Sequence, residues 1–178
     1  MDSLLIKHIL QKHHLIIIKN VIEKLIKSDE DFSVVIDKKW RKYWEMRFDN
    51  PLDDAESLIL DSENYIKNIG QKTTNLDEIQ GQYIGLMKFK RLGIKSVKEF
   101  YKKTLNLSKI GKNPLNSKLP FRLSYMTDFL QGLINENYKL KAIGIENGWL
   151  ELDSIQDYNI YNGLYQQGKI SNFINLKD

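Results

Sequence analysis

Two carboxylates near the end of the chain have the spacing of a metal-binding pair. Glu151 and Asp153 lie in a short apolar segment, two residues apart. On a β-strand such residues point to the same face, with about 7 Å between their Cα atoms. Hard oxygen ligands suit Mg²⁺ or Mn²⁺, so the pair is a candidate cation site. The same spacing also fits a solvated glutamate beside a helix-capping aspartate, and the pair alone does not separate the two interpretations.

The elements around the pair must hold it in place. An Asn-Gly turn signal predicts that a strand over residues 139–145 reverses into a second strand over residues 149–152. Ser154, followed three residues later by Asp157, resembles a capping box that opens a C-terminal helix. We therefore expect a hairpin and then a helix around the two carboxylates.

Hydrophobic periodicity predicts alternating helices and strands in the rest of the chain. Apolar or aromatic residues share one helical face over 21–26, 38–48, 97–107 and 126–135. Strand patterns occupy 32–36, 57–60, 65–69 and 82–89, and Gly85 marks a bulge or a close backbone approach. Interleaved elements of this kind favour one α/β domain over residues 1–178, with a mixed, mostly parallel sheet. Residues 106–120, rich in Gly, Asn and Pro, are predicted to be a mobile loop.

Composition excludes several classes of protein. The 178 residues contain no cysteine, which excludes a disulfide scaffold, a thiolate zinc site and a cysteine nucleophile. The net charge of +4 comes from lysines scattered along the chain, whereas nucleic-acid binders concentrate charge on one face. No apolar stretch approaches the roughly 20 residues that cross a bilayer, and the first residues lack the order of a signal peptide. We expect a cytoplasmic protein without membrane or nucleic-acid partners.

A series of short motifs occurs in a fixed order along the chain. The motifs are DKKWRKYW (37–44) with Arg47, DDAE (53–56), IGQK (69–72), GQYIGLMKF (81–89), MTD (126–128) and WLELD (149–153). This series resembles one enzyme family, the sugar-phosphate and phosphocholine nucleotidyltransferases, in their cytidylyltransferase-like branch. The resemblance covers residues 16–161. It implies a Rossmann-like (GT-A-like) nucleotidyltransferase fold.

The resemblance also implies a reaction. A phosphate oxygen of an acceptor attacks the α-phosphorus of a nucleoside triphosphate (NTP), pyrophosphate leaves, and Mg²⁺ neutralises the developing charge. By this match Glu151 and Asp153 would be metal ligands, and Lys72 would be a catalytic cation that holds the acceptor phosphate or the product. The implied partners are an NTP and a phosphorylated small-molecule acceptor.

Further substrate-binding residues follow from the same match. Gln82 and Gly85 match a strand that lines the acceptor pocket in this family, although simple strand packing is an equal interpretation. Trp40 and Trp44 could form an aromatic wall for a cationic head group, or could pack in the core. Thr127, at the start of a predicted helix, is a candidate substrate-binding residue or part of the helix cap.

The chain departs from the family at its beginning. Family members open with a glycine-rich G-x-G-x-R loop that binds the triphosphate, whereas the first glycine here is Gly70. The position of a metal-binding Asp is occupied by His14, within one or two residues. Residues 1–15 do not match the family.

These departures predict an N-terminally truncated domain that keeps the acceptor half and is inactive alone. A second chain that completes the sheet could then supply the missing half. The alternative is a non-catalytic ligand-binding or protein-interaction module. His8, His13 and His14 lack the spacing of a zinc motif, and we expect them on the polar side of an N-terminal helix.

Overall fold

Seven strands and five α-helices make up the part of the chain that the structure, a computed structural model, describes (residues 14–175). The strands are β1 (His14–Ile17), β2 (Phe32–Asp37), β3 (Leu58–Leu60), β4 (Ile66–Ile69), β5 (Gln82–Phe89), β6 (Lys141–Ile145) and β7 (Trp149–Leu152). The helices are α1 (Lys19–Lys27), α2 (Trp40–Arg47), α3 (Leu92–Ile110), α4 (Met126–Asn135) and α5 (Ile155–Gln166). This confirms the mixed α/β class.

Strand β2 is the centre of the fold because both of its faces are buried. It lies between β5 and β6 in a three-stranded sheet, and all six of its residues are buried. Val35 packs into one hydrophobic core with the aromatic residues of α2. Val34 and Ile36 point the other way, into a second core formed with α4 and the β3–β4 hairpin. The strands predicted over 57–60, 65–69 and 82–89 and the helix predicted over 126–135 are all present, and β3 and β4 pair as a hairpin.

The prediction of a mostly parallel sheet is wrong for the described strands. Only the β2–β6 ladder is parallel, whereas β2–β5, β1–β7 and β3–β4 are antiparallel. A parallel pair needs a long crossover connection, and the chain between β2 and β6 provides one. The hydrophobic run in β2 indicated burial on both faces, but burial does not fix the direction of the neighbouring strands.

The predicted hairpin of β6 and β7 is also wrong. Asn147 and Gly148 do form a turn with positive φ angles of 61° and 90°. After the turn, however, β7 pairs with β1 and not with β6. Backbone hydrogen bonds from the Ile18 N–H to Gly148 O (3.0 Å) and from the Gly148 N–H to Phe173 O (2.7 Å) hold the turn away from the β6 ladder.

Helix α3 is longer than the predicted helix and shortens the predicted loop. It continues to Ile110, so residues 106–110 are helical. Within the remaining loop, the Asn113 side chain donates to Leu119 O at 3.0 Å and to Ser124 Oγ at 2.7 Å. The mobility of this loop stays a prediction. No described helix is long and apolar enough to cross a membrane.

The N-terminal histidines fall largely outside the described residues. His8 and His13, with the rest of residues 1–13, lie there. His14 begins β1, so its expected position on a helix is wrong.

A fully buried carboxylate ties β2 to the turn before β7. Asp37 has no exposed surface, and its oxygens accept from the Trp149 indole N–H at 3.0 Å. They also accept from the backbone N–H groups of Asn147 (3.0 Å) and Lys39 (2.8 Å). Burying an ionised carboxylate is tolerated only when hydrogen bonds replace its water. Asp37 therefore holds the end of β2 against the start of β7.

We expect Asp37→Ala to lower the free energy of unfolding by about 3 kcal/mol, because one buried and two part-buried donors lose their acceptor. Urea unfolding of the variant measures this loss. The matched control is Asp49→Ala at an exposed position, where we expect less than about 0.5 kcal/mol. Equal losses in the two variants would contradict the structural role of Asp37.

Candidate functional site

A cleft of about 700 Å³ opens where β5, β7 and the start of α4 meet the end of α2. It collects residues from distant parts of the sequence. Six of the eight predicted site residues line it: Trp44, Gln82, Gly85, Thr127, Glu151 and Asp153. Trp40 and Lys72 are not among the lining residues.

A buried arginine organises one wall of the cleft. The side chain of Arg47, at the end of α2, is only 4% exposed. Its guanidinium group contacts Glu151 Oε2 at 3.0 Å, Asp153 Oδ2 at 3.4 Å and Asp157 Oδ1 at 2.8 Å. The two carboxylates predicted to act together therefore do lie together, and one cation holds both of them.

The electrostatics of this cluster follow from burial and from these hydrogen bonds. Burial raises the pKa of Asp157, but the hydrogen bonds from Arg47 and Ser154 outweigh it and hold that pKa below its usual range. Burial lowers the pKa of Arg47, and its hydrogen bond to Asp157 more than offsets this. The guanidinium carbon also lies over the ring of Tyr43, 5.4 Å from its centroid. Arg47 is therefore charged and fixed between acids and an aromatic face.

The donor set fits a metal ion that is shared with phosphate groups. One guanidinium against three carboxylates leaves a formal charge of −2 in the cluster. Among the described residues no group of three or more His, Asp or Glu could hold a metal by itself. Mg²⁺ is commonly bound by one or two carboxylates together with substrate phosphates. Glu151 and Asp153 match that smaller requirement.

The opposite wall is built around Glu56. The side chain of Gln82 clamps its backbone, donating to Glu56 O at 2.6 Å and accepting from the Glu56 N–H at 3.3 Å. Burial raises the pKa of the Glu56 carboxyl, although a hydrogen bond with Thr127 and the charge of Lys72 oppose this. Lys72 itself is exposed and donates to Asp53 O at 3.3 Å. Gln82 thus fixes the backbone that carries the Glu56 carboxylate. Lys72 does not line the cleft, but its positive charge favours the ionised form of that carboxyl.

The two predicted tryptophans have different positions. Trp44 lines the cleft and its indole N–H donates to Asp54 Oδ2 at 2.9 Å. Trp40 is buried in the core, where its indole N–H donates to Ile79 O at 3.2 Å. Core packing describes both tryptophans, which are 5% and 4% exposed and belong to the same hydrophobic core. Trp44 in addition lines the cleft, so the aromatic-wall interpretation applies to Trp44 alone.

Two glycines let backbone approach the cleft. Gly85 has a φ of +80°, and β5 there carries extra residues between its pairs with Val34 and Ile36, which confirms the predicted bulge. Gly70 has a φ of +77°, and a Cβ on it would lie 2.3 Å from Thr127 Cβ. A side chain at position 70 would therefore displace the start of α4.

Three residues that build the site were not predicted as site residues from the sequence. Arg47 lies three residues after Trp44 on the helical face of the aromatic residues, and a charge on an apolar face signals a buried ion pair. Asp157 does cap α5 as predicted, accepting from the Ser154 N–H at 2.9 Å, but it also binds Arg47. Glu56 carried no comparable signal.

We expect Arg47→Met to cost about 3 kcal/mol of unfolding free energy at pH 7, because buried carboxylates lose their cation. The pKa of Asp157 is depressed in the folded state, so this stability is present above its unfolded pKa of about 3.9 and is lost as the pH falls below that value. Urea unfolding at pH 7, 5 and 3 should show the difference from the unmodified protein shrinking towards pH 3.

The matched control is Arg41→Met on the same helix. Arg41 makes an exposed pair with Glu45, for which we expect at most about 0.5 kcal/mol. A pH-independent cost of Arg47→Met would contradict the ionic role of the cluster.

Comparison with known proteins agrees with the motif resemblance. No family model matches the chain. A CTP:phosphoglutamine cytidylyltransferase of Campylobacter jejuni subsp. jejuni serotype O:2 is 37% identical over 142 residues, which are 80% of this chain and 53% of the relative. The chain therefore spans about half the length of the curated relative that it matches. Over four-fifths of its own length, this chain is cytidylyltransferase-like in sequence.

Proposed function

We propose that this chain takes part in the Mg²⁺-dependent transfer of a cytidylyl group from CTP to a phosphorylated acceptor, and that residues 14–175 supply the acceptor side. One observation carries the proposal. The cleft brings together the Glu151–Asp153 pair, held by Arg47, and the β5 residues Gln82 and Gly85, which match the acceptor pocket of the family. The similarity to a cytidylyltransferase over 142 residues supports the same chemistry.

The charge of the cleft supports a metal-dependent reaction. Phosphate groups would be repelled by the excess carboxylates around Arg47 unless a cation lies between them. Glu151 and Asp153 would hold Mg²⁺ there, and the metal when bound would neutralise charge on the reacting phosphate groups. An oxygen of the acceptor phosphate attacks the α-phosphorus of CTP, and the bond to the leaving pyrophosphate breaks. Lys72, at the rim beside Glu56, would hold the acceptor phosphate.

The opposite wall favours an acceptor that also carries a positive charge. Asp54 and Glu56 line the cleft together with Trp44, and Asp54 accepts a hydrogen bond from the indole N–H of Trp44. Carboxylates and an aromatic face together attract an ammonium group. The name of the relative specifies phosphoglutamine, a phosphorylated compound that carries an α-amino group. We propose an acceptor of this class, a small phosphorylated amine.

The triphosphate side of the reaction is not accounted for by these residues. The 178 residues contain no glycine before Gly70, and hence no glycine-rich phosphate loop of the family type. We propose that the chain by itself binds the acceptor without catalysing transfer, and that a second polypeptide provides the triphosphate site. A non-catalytic ligand-binding or protein-interaction module is the alternative.

Calorimetry tests the acceptor half directly. We expect the chain to bind phosphoglutamine or phosphocholine more tightly with Mg²⁺ than without it, and Asp153→Asn to weaken the Mg²⁺-dependent part at least tenfold, because a hard ligand is lost. Asp49→Asn, at an exposed position away from the cleft, is the matched control. Binding without any metal dependence, or no binding at all, would favour the non-catalytic module.

Measurement of pyrophosphate release tests whether the chain alone catalyses transfer or needs a second polypeptide. With CTP, Mg²⁺ and either acceptor, we expect no release from the chain alone and release after a polypeptide with a G-x-G-x-R loop is added. Release by the chain alone that Asp153→Asn abolishes would disprove the proposed inactivity.

The raised pKa of Glu56 predicts a pH dependence of acceptor binding. A carboxyl with a raised pKa begins to lose its charge above the usual range near pH 4.3 as the pH falls. We therefore expect affinity for an amine-bearing acceptor to fall between pH 7 and pH 4 in the unmodified chain. Glu56→Gln should bind more weakly at pH 7 and lose most of this pH dependence. Calorimetry at both pH values measures the two effects, and an unchanged profile in Glu56→Gln would exclude Glu56 as the titrating group.

A further inference from the structure

Two tyrosine hydroxyl groups lie behind the carboxylate wall and contact the backbone of Glu151. Tyr43, on α2, is 1% exposed and Tyr161, on α5, is 9% exposed. Their hydroxyl oxygens are 2.6 Å apart. The Glu151 N–H lies 2.7 Å from the Tyr43 hydroxyl, and the Glu151 carbonyl lies 2.7 Å from the Tyr161 hydroxyl.

The direction of each hydrogen bond follows from the groups involved. A backbone N–H can only donate and a carbonyl can only accept. The Glu151 N–H therefore donates to Tyr43, and Tyr161 donates to the Glu151 carbonyl. Each hydroxyl has one hydrogen, so Tyr43 must donate to Tyr161. The result is a closed ring in which both hydroxyl groups donate once and accept once.

The two tyrosine hydroxyl groups bind the outer edge of β7, where the backbone of a neighbouring strand would otherwise pair. Glu151 is opposite Leu15 in the antiparallel β1–β7 ladder, and in such a ladder alternate residues direct their N–H and C=O groups away from the partner strand. The N–H and C=O of Glu151 go to the tyrosines instead. Tyr43 and Tyr161 thus satisfy the outer edge of β7 at the residue that carries a site carboxylate.

We propose that the hydroxyl pair of Tyr43 and Tyr161 positions the Glu151 carboxylate by fixing its backbone against Arg47. Tyr43 contributes twice, because its hydroxyl holds Glu151 and its ring face supports the guanidinium group. The proposal rests on the proposed function in that Glu151 is there a ligand of Mg²⁺. Both tyrosines are positioning residues, since their hydroxyl groups act through Glu151.

The test uses Tyr43→Phe and Tyr161→Phe. Each substitution removes one hydroxyl group and keeps the packed aromatic side chain. Tyr158→Phe, at a 48% exposed position on the same helix as Tyr161, is the matched control. In the metal-free 178-residue chain, we expect the Glu151 amide in Tyr43→Phe to exchange its hydrogen about tenfold faster. The Val35 amide, in the core strand β2, should change less than about twofold and so corrects for any general loss of stability.

A second readout follows the carboxylate itself. Nuclear Overhauser contacts between the Glu151 side chain and the Arg47 guanidinium group should weaken by at least about half in both tyrosine variants and stay unchanged in the control. An unchanged Glu151–Arg47 contact, or an unchanged Glu151 exchange rate, would overturn the positioning role.

Titration with Mn²⁺, as a spectroscopic substitute for Mg²⁺, tests whether the tyrosine hydroxyl pair affects metal binding at Glu151. We expect both tyrosine variants to bind Mn²⁺ about tenfold more weakly, the loss typical of residues that orient a metal ligand. Equal affinity in variants and unmodified protein would overturn the positioning role. Failure of the unmodified protein to bind Mn²⁺ would instead contradict the proposed metal site, and the two metal-free readouts would still decide the role of the tyrosines.

Discussion

A buried guanidinium group is the constraint on which the rest of the site depends. Arg47 has almost no access to water, and an arginine in such a place is stable only if carboxylates and hydrogen-bond acceptors surround it. Three carboxylates from β7 and the segment that follows it meet this need. The end of α2, strand β7 and the start of α5 must therefore pack at one point, and the cleft opens beside that point.

The aromatic core and the site are parts of the same structure. Tyr43 packs against Trp44 and Trp149 with ring centroids 5.5 Å and 5.0 Å away. Its ring supports Arg47 and its hydroxyl holds the backbone of Glu151. Asp37 binds the indole of Trp149 from the other side. Displacement of any of these groups would move the carboxylate wall, because interiors packed at this density transmit small shifts.

The balance of charge gives the cleft its chemical character. Its described walls carry more carboxylates than cations, which suits a divalent metal and an ammonium group and disfavours bare phosphate groups. Under the proposed function, such a cleft would be the acceptor side of a nucleotidyl-transfer site.

The sequence by itself predicted many of the local elements and the candidate site residues. Periodicity and turn signals gave β2, β5, α2, α4 and the capping box of α5, because helical and strand faces repeat over a few residues. The ordered motifs gave the relation to cytidylyltransferases, and the E-x-D spacing gave the pair Glu151 and Asp153.

Only the tertiary structure decided which distant groups meet. Arg47 and Glu151 are 104 residues apart in the chain, and the local sequence around either residue does not predict that they form an ion pair. Strand β7 joins β1 although the Asn-Gly turn favoured β6, since a turn signal fixes a reversal but not the partner strand. Trp40 and Trp44 are both buried in the same core, as their helical spacing predicts, but only Trp44 also lines the cleft. Periodicity shows which face of an element is buried, whereas long-range packing decides what that face is buried against.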